Sequence, residues 1–327
     1  MKLSGKDKYC IVVDSFSISL YTLTKGADAM KLSFNLIKEY MENTNSIDFF
    51  QSSSEEFNLE RPLLYDGKGA LKSDTLYICR SEDLAGNFQI EEGAACICCG
   101  NIKDNTMTHP GRLLIAKNRS VYALFNEVQQ IYNRFDQWEN ELLAAGYLRS
   151  PRSILRKMLD TSSDIFGNGL SVMDNLFHII VQNETNIRSG GYTLPDPYSE
   201  DFAIPEEMII YYKYDREYQI ISESRDVFYY ESPILPHRVL CKNIFQNDQF
   251  LFRIIITECL RPFRKSDEYL LAFLASRFFM SIHKMQPVAS HLYDGFSRLI
   301  QDIIVSGQIN RQAIESELRN HHWINSD

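Results

Sequence analysis

The sequence predicts a mixed α/β (α+β) fold in two domains joined by a long heptad helix. Three observations carry that expectation. Short β-branched and aromatic runs bounded by glycine alternate with amphipathic stretches of helical period. One stretch, residues 120–148, repeats its apolar residues at spacings of three and four without a break. A chain of 327 residues is also longer than one core usually serves.

Taken in order, "YCIVVDSFSISLYTL" (9–23) reads as extended structure, and residues 27–43 place Met30, Phe34, Ile37 and Met41 on one helical stripe. "RPLLYDGKGALKSDTLYICRSEDL" (61–84) reads as a strand, a turn at Asp66-Gly67 and a second strand over Thr75–Cys79. "GAACICCG" (93–100) and "GRLLIAK" (111–117) are Gly-bounded apolar runs suited to buried strands, which completes an N-terminal α/β domain over 1–117.

Residues 118–148 form the expected linking helix. Its seam is Val121, Leu124, Val128, Ile131, Phe135, Trp138 and Leu142, three heptads of a/d positions, read as a parallel dimer contact between two copies of the chain. A third segment, 149–286, opens with a helix over 150–167 and continues with "LSVMDNLFHIIVQN" (170–183), strands around a turn at Asp174-Asn175. Aromatic strands are expected at 208–223 and 226–235, a hairpin at 238–258 and a long helix at 267–285. Pro287 should kink or end that helix. The last stretch, 287–327, carries a further apolar stripe, a Ser-Gly break and a short helix ending at Trp323, and is read as an exit helix and the start of a downstream domain.

The net charge of −9 is spread evenly, with 15 Lys+Arg against 20 Asp+Glu in residues 1–148 and 19 against 23 in the rest. Neither half has the basic excess needed to neutralise phosphates, which argues against nucleic-acid binding by this segment. No apolar run approaches the roughly 18 residues that span a bilayer. Seven cysteines without framework spacing fit a reducing, cytoplasmic setting.

Candidates for chemistry are few. Cys96 and Cys98 alternate onto one strand face, Cys99 points the other way and Cys79 lies on an earlier strand. Closed zinc sites usually present their cysteine pairs on turns, so a buried core is the expectation for all four and no metal is assigned. No nucleotide-, metal- or hydrolase-type motif is present, and "GNG" (167–169) fits a helix stop. His321 and His322 point about 100° apart on a helix. Catalysis has no positive support, and no cofactor is assigned.

The tyrosines between 211 and 230 are more suggestive. If they lie on two strands, alternation sends Tyr212 and Tyr214 to one face. With Tyr229 and with Arg238 or Arg253 nearby, that face would hold a small organic anion.

The run "PGRLLIAKNRSVYALFNEVQQIYNRFDQWENELLAA" (110–145) resembles the linking helix of PucR/CdaR-type bacterial transcriptional regulators. "LLYDGKGALKSDTLYICRSEDL" (63–84), "MLDTSSDIFGNGLSVMDNLFHIIVQN" (158–183) and "RVLCKNIFQNDQFLFRIIITE" (238–258) are similar to the strand segment before that helix and to a GAF-like sensor domain after it. The resemblance implies a ligand-sensing, dimerising input region: a GAF/PAS-like sensor binding a small metabolite, a homodimer, and contact with DNA only through a C-terminal helix-turn-helix outside this chain. It implies no enzyme and no membrane. Two other readings stand beside it: an enzyme using the thiols or a metal at Cys96, Cys98 or Cys99, and a scaffold that only dimerises.

Overall fold

A computed structural model describes residues 30–41, 47–51, 56–84, 91–100, 112–174, 177–195, 202–246 and 248–283. The strand expected at 9–23, the exit segment after 283 and the His321-His322 pair lie outside them. The chain divides into two compact units, one comprising residues up to Phe34 with Glu42–Asp136, the other Asn35–Met41 with everything from Gln137 onward.

The first unit is built on a five-stranded sheet. Its strands are β1 (Ile47–Gln51), β2 (Glu60–Leu64), β3 (Thr75–Arg80), β4 (Ala95–Cys99) and β5 (Arg112–Ala116), in the spatial order β1-β5-β4-β3-β2. The four strands β2 to β5 run parallel, and β1 closes the β5 edge antiparallel. Every residue of β4 and β5 is buried, as parallel strands covered on both faces should be. The Gly-bounded apolar runs 93–100 and 111–117 are therefore the sheet's centre.

Helix α2 (Val121–Ala145) follows and carries the stripe expected as a dimer seam. Leu124, Val128 and Phe135 are fully buried and Ile131 nearly so within the single chain, with Trp138 and Leu142 buried likewise in the second unit; Val121 alone of the seam is partly open. A heptad stripe specifies an apolar face without specifying who covers it, and this chain covers its own. At the β2 edge, Tyr132 donates its hydroxyl to the carbonyls of Leu59 and Glu60 (3.1 and 2.8 Å), while Arg61 reaches Gln129, Asn133 and Asp136.

The helix expected at 27–43 is shorter, α1 (Phe34–Tyr40), and from Asn35 onward belongs to the second unit. There Tyr40 donates to the carbonyl of Ile165 (2.6 Å), and Glu39 accepts from the backbone of Lys265 and Ser266.

The second unit carries a seven-stranded, wholly antiparallel sheet. Its strands are β6 (Gly169–Asp174), β7 (His178–Gln182), β8 (Leu194–Pro195), β9 (Phe202–Ala203), β10 (Val227–Tyr230), β11 (Val239–Gln246) and β12 (Gln249–Thr257), in the order β10-β11-β12-β6-β7-β9-β8. Its helices are α3 (Pro151–Phe166), α4 (Glu184–Ser189), α5 (Glu206–Tyr214), α6 (Arg216–Ser222) and α7 (Ser266–His283). Ser150 caps α3 with Pro151 in the first turn. Gly167, in the left-handed region at φ 59°, ends the helix by donating its N–H to the Ser163 carbonyl. That is the helix stop read from "GNG". Asn168 then accepts from the N–H groups of Leu260 and Arg261 (3.0 and 3.1 Å).

Alternation along the central hairpin sorts the two sheet faces. Phe252, Ile254 and Ile256 of β12 point to the side of α7, where Phe252 meets Phe278. Arg253 and Ile255 point to the opposite side, beneath α5 and α6.

Candidate functional site

The segment 208–223, expected as a strand, is helical. Pro205, Glu206 and Glu207 open α5 with residue types that suit a helix N-terminus. Met208 and Tyr212, four apart, supply its buried side. Asp215 then starts α6 by accepting the N–H of Glu217 (3.1 Å). Tyrosine and isoleucine suit a strand only where a pleated, half-buried surface is offered; a local cap and an i, i+4 pair decide otherwise here.

With that change the predicted residues separate. Tyr212 and Arg253 meet in one cluster. Tyr214 is 85% exposed on α5 and takes no part. Tyr229 and Arg238 sit together on the other side of the strand alternation: Arg238 lies over the Tyr229 and Phe263 rings and is held by Glu258 in a two-pronged pair at 3.1 and 3.0 Å. Its charge is compensated.

The cluster beneath α5 and α6 is built from Phe177, Tyr212, Tyr218, Phe228 and Tyr230 around Arg253. Tyr212 and Tyr218 stack at 4.3 Å between centroids, and Phe177 continues the stack at 6.0 Å from Tyr212. Tyr230 meets Tyr218 edge-on at 5.6 Å, the other favoured arrangement of aromatic pairs. Arg253 is 3% exposed, with its guanidinium carbon 4.8 Å from the Tyr218 ring centre and 5.3 Å from that of Phe228. Its Nε donates to Asn243 Oδ1 (2.7 Å). The Asn243 amide nitrogen in turn donates to the carbonyls of Ile221, Ser222 and Ser224, the end of α6. One asparagine thus fixes both the arginine and the helix above it.

Among the described residues Arg253 forms no ion pair. Its hydroxyl and thiol neighbours are shifted toward their neutral forms. Burial pushes the hydroxyls of Tyr212 and Tyr218 up, in Tyr218 against the pull of Arg253, and burial pushes the Cys241 thiol up to about 12. Burial, with a hydrogen bond to Asp215 at 2.6 Å, also raises Tyr230. Elsewhere in this unit, Arg261 is paired with Asp267 and Arg277 with Glu139. A buried guanidinium without a carboxylate costs several kcal/mol, and two cation–π contacts of about 1–2 kcal/mol each offset only part of it.

Tyr218, Phe228, Tyr230 and Asn243 are not singled out individually as site residues by the sequence. The tyrosine density between 211 and 230 marks the region, but nothing in the spacing marks Asn243. Of the histidines, His178 pairs with Asp174 (3.2 Å) and His237 contacts the carbonyl of Ser189 (3.1 Å).

No protein-family model matches the sequence, and no curated protein does. Solved structures that are similar include the following three domains. The GAF domain of a phosphoenolpyruvate-protein phosphotransferase from Acinetobacter aligns at 10% identity and a TM-score of 0.34, over 48% of this chain and 96% of that one. The cofactor-binding GAF domain of the nutrient sensor CodY from Clostridium difficile aligns at 11% and 0.29, over 45% and 93%. The chromophore-binding domain of a bacteriophytochrome from R. palustris aligns at 8% and 0.29, over 54% and 66%.

Proposed function

We propose that the second unit is the effector-binding module of a signalling protein and that its effector is a small organic anion received by Arg253. The observation that supports this is the buried guanidinium, which forms no ion pair among the described residues, is aimed into an aromatic cluster and is oriented by Asn243. A carboxylate or comparable group would supply an opposite charge to this guanidinium, with the ring faces covering its carbon skeleton. The rings lie in van der Waals reach of one another, so admission of a ligand goes with movement of Tyr218 or of α6 above it. Only a ligand that prefers the displaced arrangement shifts that equilibrium, and this is how binding becomes a signal.

The resemblance to PucR/CdaR-type regulators extends the reading to transcription: an input region whose signal passes along α7 to a DNA-binding domain outside this chain. We assign binding rather than catalysis to the site: the hydroxyl there that meets a carboxylate, Tyr230 on Asp215, is shifted toward its protonated form rather than activated.

The test is a thermal-shift series on the whole chain with small mono- and dicarboxylates, each beside its neutral amide, in wild type and Arg253→Met. At least one carboxylate should raise the melting temperature in proportion to its concentration. Its amide should be silent, and the variant should not respond; about 100-fold excess over Kd corresponds to about 2.7 kcal/mol. A response of equal size from the amide, a response in Arg253→Met, or silence from every carboxylate overturns the proposal.

A further inference from the structure

Three cysteines of the first unit come together in a way their spacing in the sequence does not show. Cys79 on β3 and Cys98 on β4 are directly paired in the parallel register, and Cys96 lies two residues before Cys98 on the same face. Their sulfurs form a nearly equilateral triangle: Cys79 Sγ to Cys96 Sγ 3.4 Å, Cys79 to Cys98 3.3 Å, Cys96 to Cys98 3.4 Å. All three side chains are buried. Side chains two apart on a strand stand well separated at their Cβ atoms, so Cys96 and Cys98 must lean toward each other and toward Cys79 to close it. Around them lie Tyr65, Tyr77, Leu71, Leu113 and Ile115. Both tyrosine hydroxyls are engaged elsewhere, Tyr65 donating to the Gly69 carbonyl (2.8 Å) and Tyr77 accepting from the Lys72 N–H (3.3 Å). Among the described residues no histidine or carboxylate joins the three sulfurs.

The size of the triangle selects the coordination. With an ion–sulfur bond of about 2.3 Å, a tetrahedral site spaces its sulfurs about 3.8 Å apart and a planar three-sulfur site about 4.0 Å. The sulfurs here are closer together than either. At their spacing such an ion sits about 1.2 Å above the sulfur plane, with sulfur–ion–sulfur angles of about 95°. That is a three-sided pyramid, the geometry of an ion whose fourth position holds a lone pair.

Charge selects in the same direction. Three thiolates carry −3, and a divalent ion would leave a net negative charge in an apolar, buried site. The arginines Arg80 and Arg119 act on Cys99, which points to the other face of β4. A trivalent ion leaves the complex neutral, with no desolvation penalty to offset.

We propose that Cys79, Cys96 and Cys98 form a three-thiolate site for a trivalent, thiophilic ion of the arsenite class. Arsenous acid enters as the neutral trihydroxide. Three arsenic–oxygen bonds break and three arsenic–sulfur bonds form, each thiol proton leaves on a hydroxide as water, and the oxidation state does not change. The thiols need not ionise beforehand, because each gives its proton to a departing hydroxide. The bound ion bridges β3 and β4 and stabilises the parallel sheet. This site is independent of Arg253 and of the function proposed there.

The experiment is an arsenite titration of the whole chain, kept reduced with a phosphine, followed by desalting, elemental analysis and X-ray absorption. One arsenic per chain should be retained, with three sulfurs and no oxygen in its first shell. Affinity should be unchanged between about pH 6 and 8, because no net proton is released, whereas a divalent ion would bind more tightly as pH rises. Cys79→Ser, Cys96→Ser and Cys98→Ser should each lose the retained arsenic, and Cys99→Ser and Cys241→Ser should keep it. Loss of arsenic on desalting, an oxygen remaining in the first shell of the wild-type complex, or full retention by Cys79→Ser overturns the proposal. The first-shell measurement is made on wild type, so it decides the matter even where a serine variant fails to fold.

Discussion

Phe135 sits at the middle of the α2 stripe, at 0% exposure. Removing a buried phenylalanine ring costs about 3–5 kcal/mol, the transfer of the ring plus the cavity it leaves. A glutamate there adds the desolvation of a carboxylate, several kcal/mol more, or is forced to take up a proton. Against a typical domain stability of about 5–15 kcal/mol, Phe135→Ala should leave a folded but weakened first unit, and Phe135→Glu should unfold it. The assay is urea unfolding followed by far-UV circular dichroism at two protein concentrations well apart. The stripe is covered by its own chain, so the midpoint of the wild type and of Phe135→Ala should be the same at both concentrations. Should the wild-type midpoint rise with concentration and Phe135→Ala abolish that rise, the stripe pairs two chains and the reasoning from burial fails.

Other perturbations follow from single contacts. Trp138→Phe removes the indole N–H donated to Ser162 Oγ (3.0 Å) while keeping a ring beside Phe166 and Phe273. It should cost about 1–2 kcal/mol, read as a lowered urea midpoint of the second unit. Asp267, fully buried, accepts from both Arg261 Nη groups (2.9 and 2.8 Å) and from the Arg264 N–H (2.8 Å). Asp267→Ala leaves that cation unpaired and should cost about 3–5 kcal/mol in the same measurement. Burial raises the Glu258 carboxyl, but the paired Arg238 guanidinium and the Phe263 N–H outweigh it and hold the group below its ordinary value. Its contribution to stability is therefore complete above the ordinary glutamate range and is lost as pH falls through the depressed value; Glu258→Gln should flatten the acid limb of a stability–pH curve, and an unchanged limb would count against the pair. Asn243→Ala should free the last turn of α6 and release Arg253, seen as faster amide exchange in residues 216–224 with β11 still protected.

The strands are legible in the sequence where burial is two-sided or alternation is strict. "ACICC" and "RLLIA" read as buried strands because nothing polar interrupts them, apart from an Arg112 that Asn58 receives at 2.8 Å. The 238–258 hairpin and the helix ending at "GNG" carry turn and cap residues at the right places. The failures share a cause. Residues 208–223 offer apolar and aromatic residues consistent with either period, and Asp215, which decides in favour of two helices, resembles any loop aspartate until its N–H partner is known. The heptads of α2 are a true apolar stripe that is buried within the single chain, which periodicity, describing one surface only, does not reveal. Arg253 is visible beside tyrosines in the sequence, whereas its lack of an ion pair among the described residues is a property of three elements together. The thiol triangle depends in the same way on the register of β3 against β4.

The Arg253 side chain can be observed directly. In a chain labelled with 15N-arginine, its Nε–H resonance is identified as the one missing from Arg253→Lys. It is then followed while the carboxylate that most raises the melting temperature is added. The anion-site account predicts that this resonance moves saturably, with the same midpoint as the thermal response, while those of Arg238 and Arg261 stay in place. A resonance that does not move while the protein is stabilised would mean that the anion binds elsewhere, and Arg253 would then be a structural arginine.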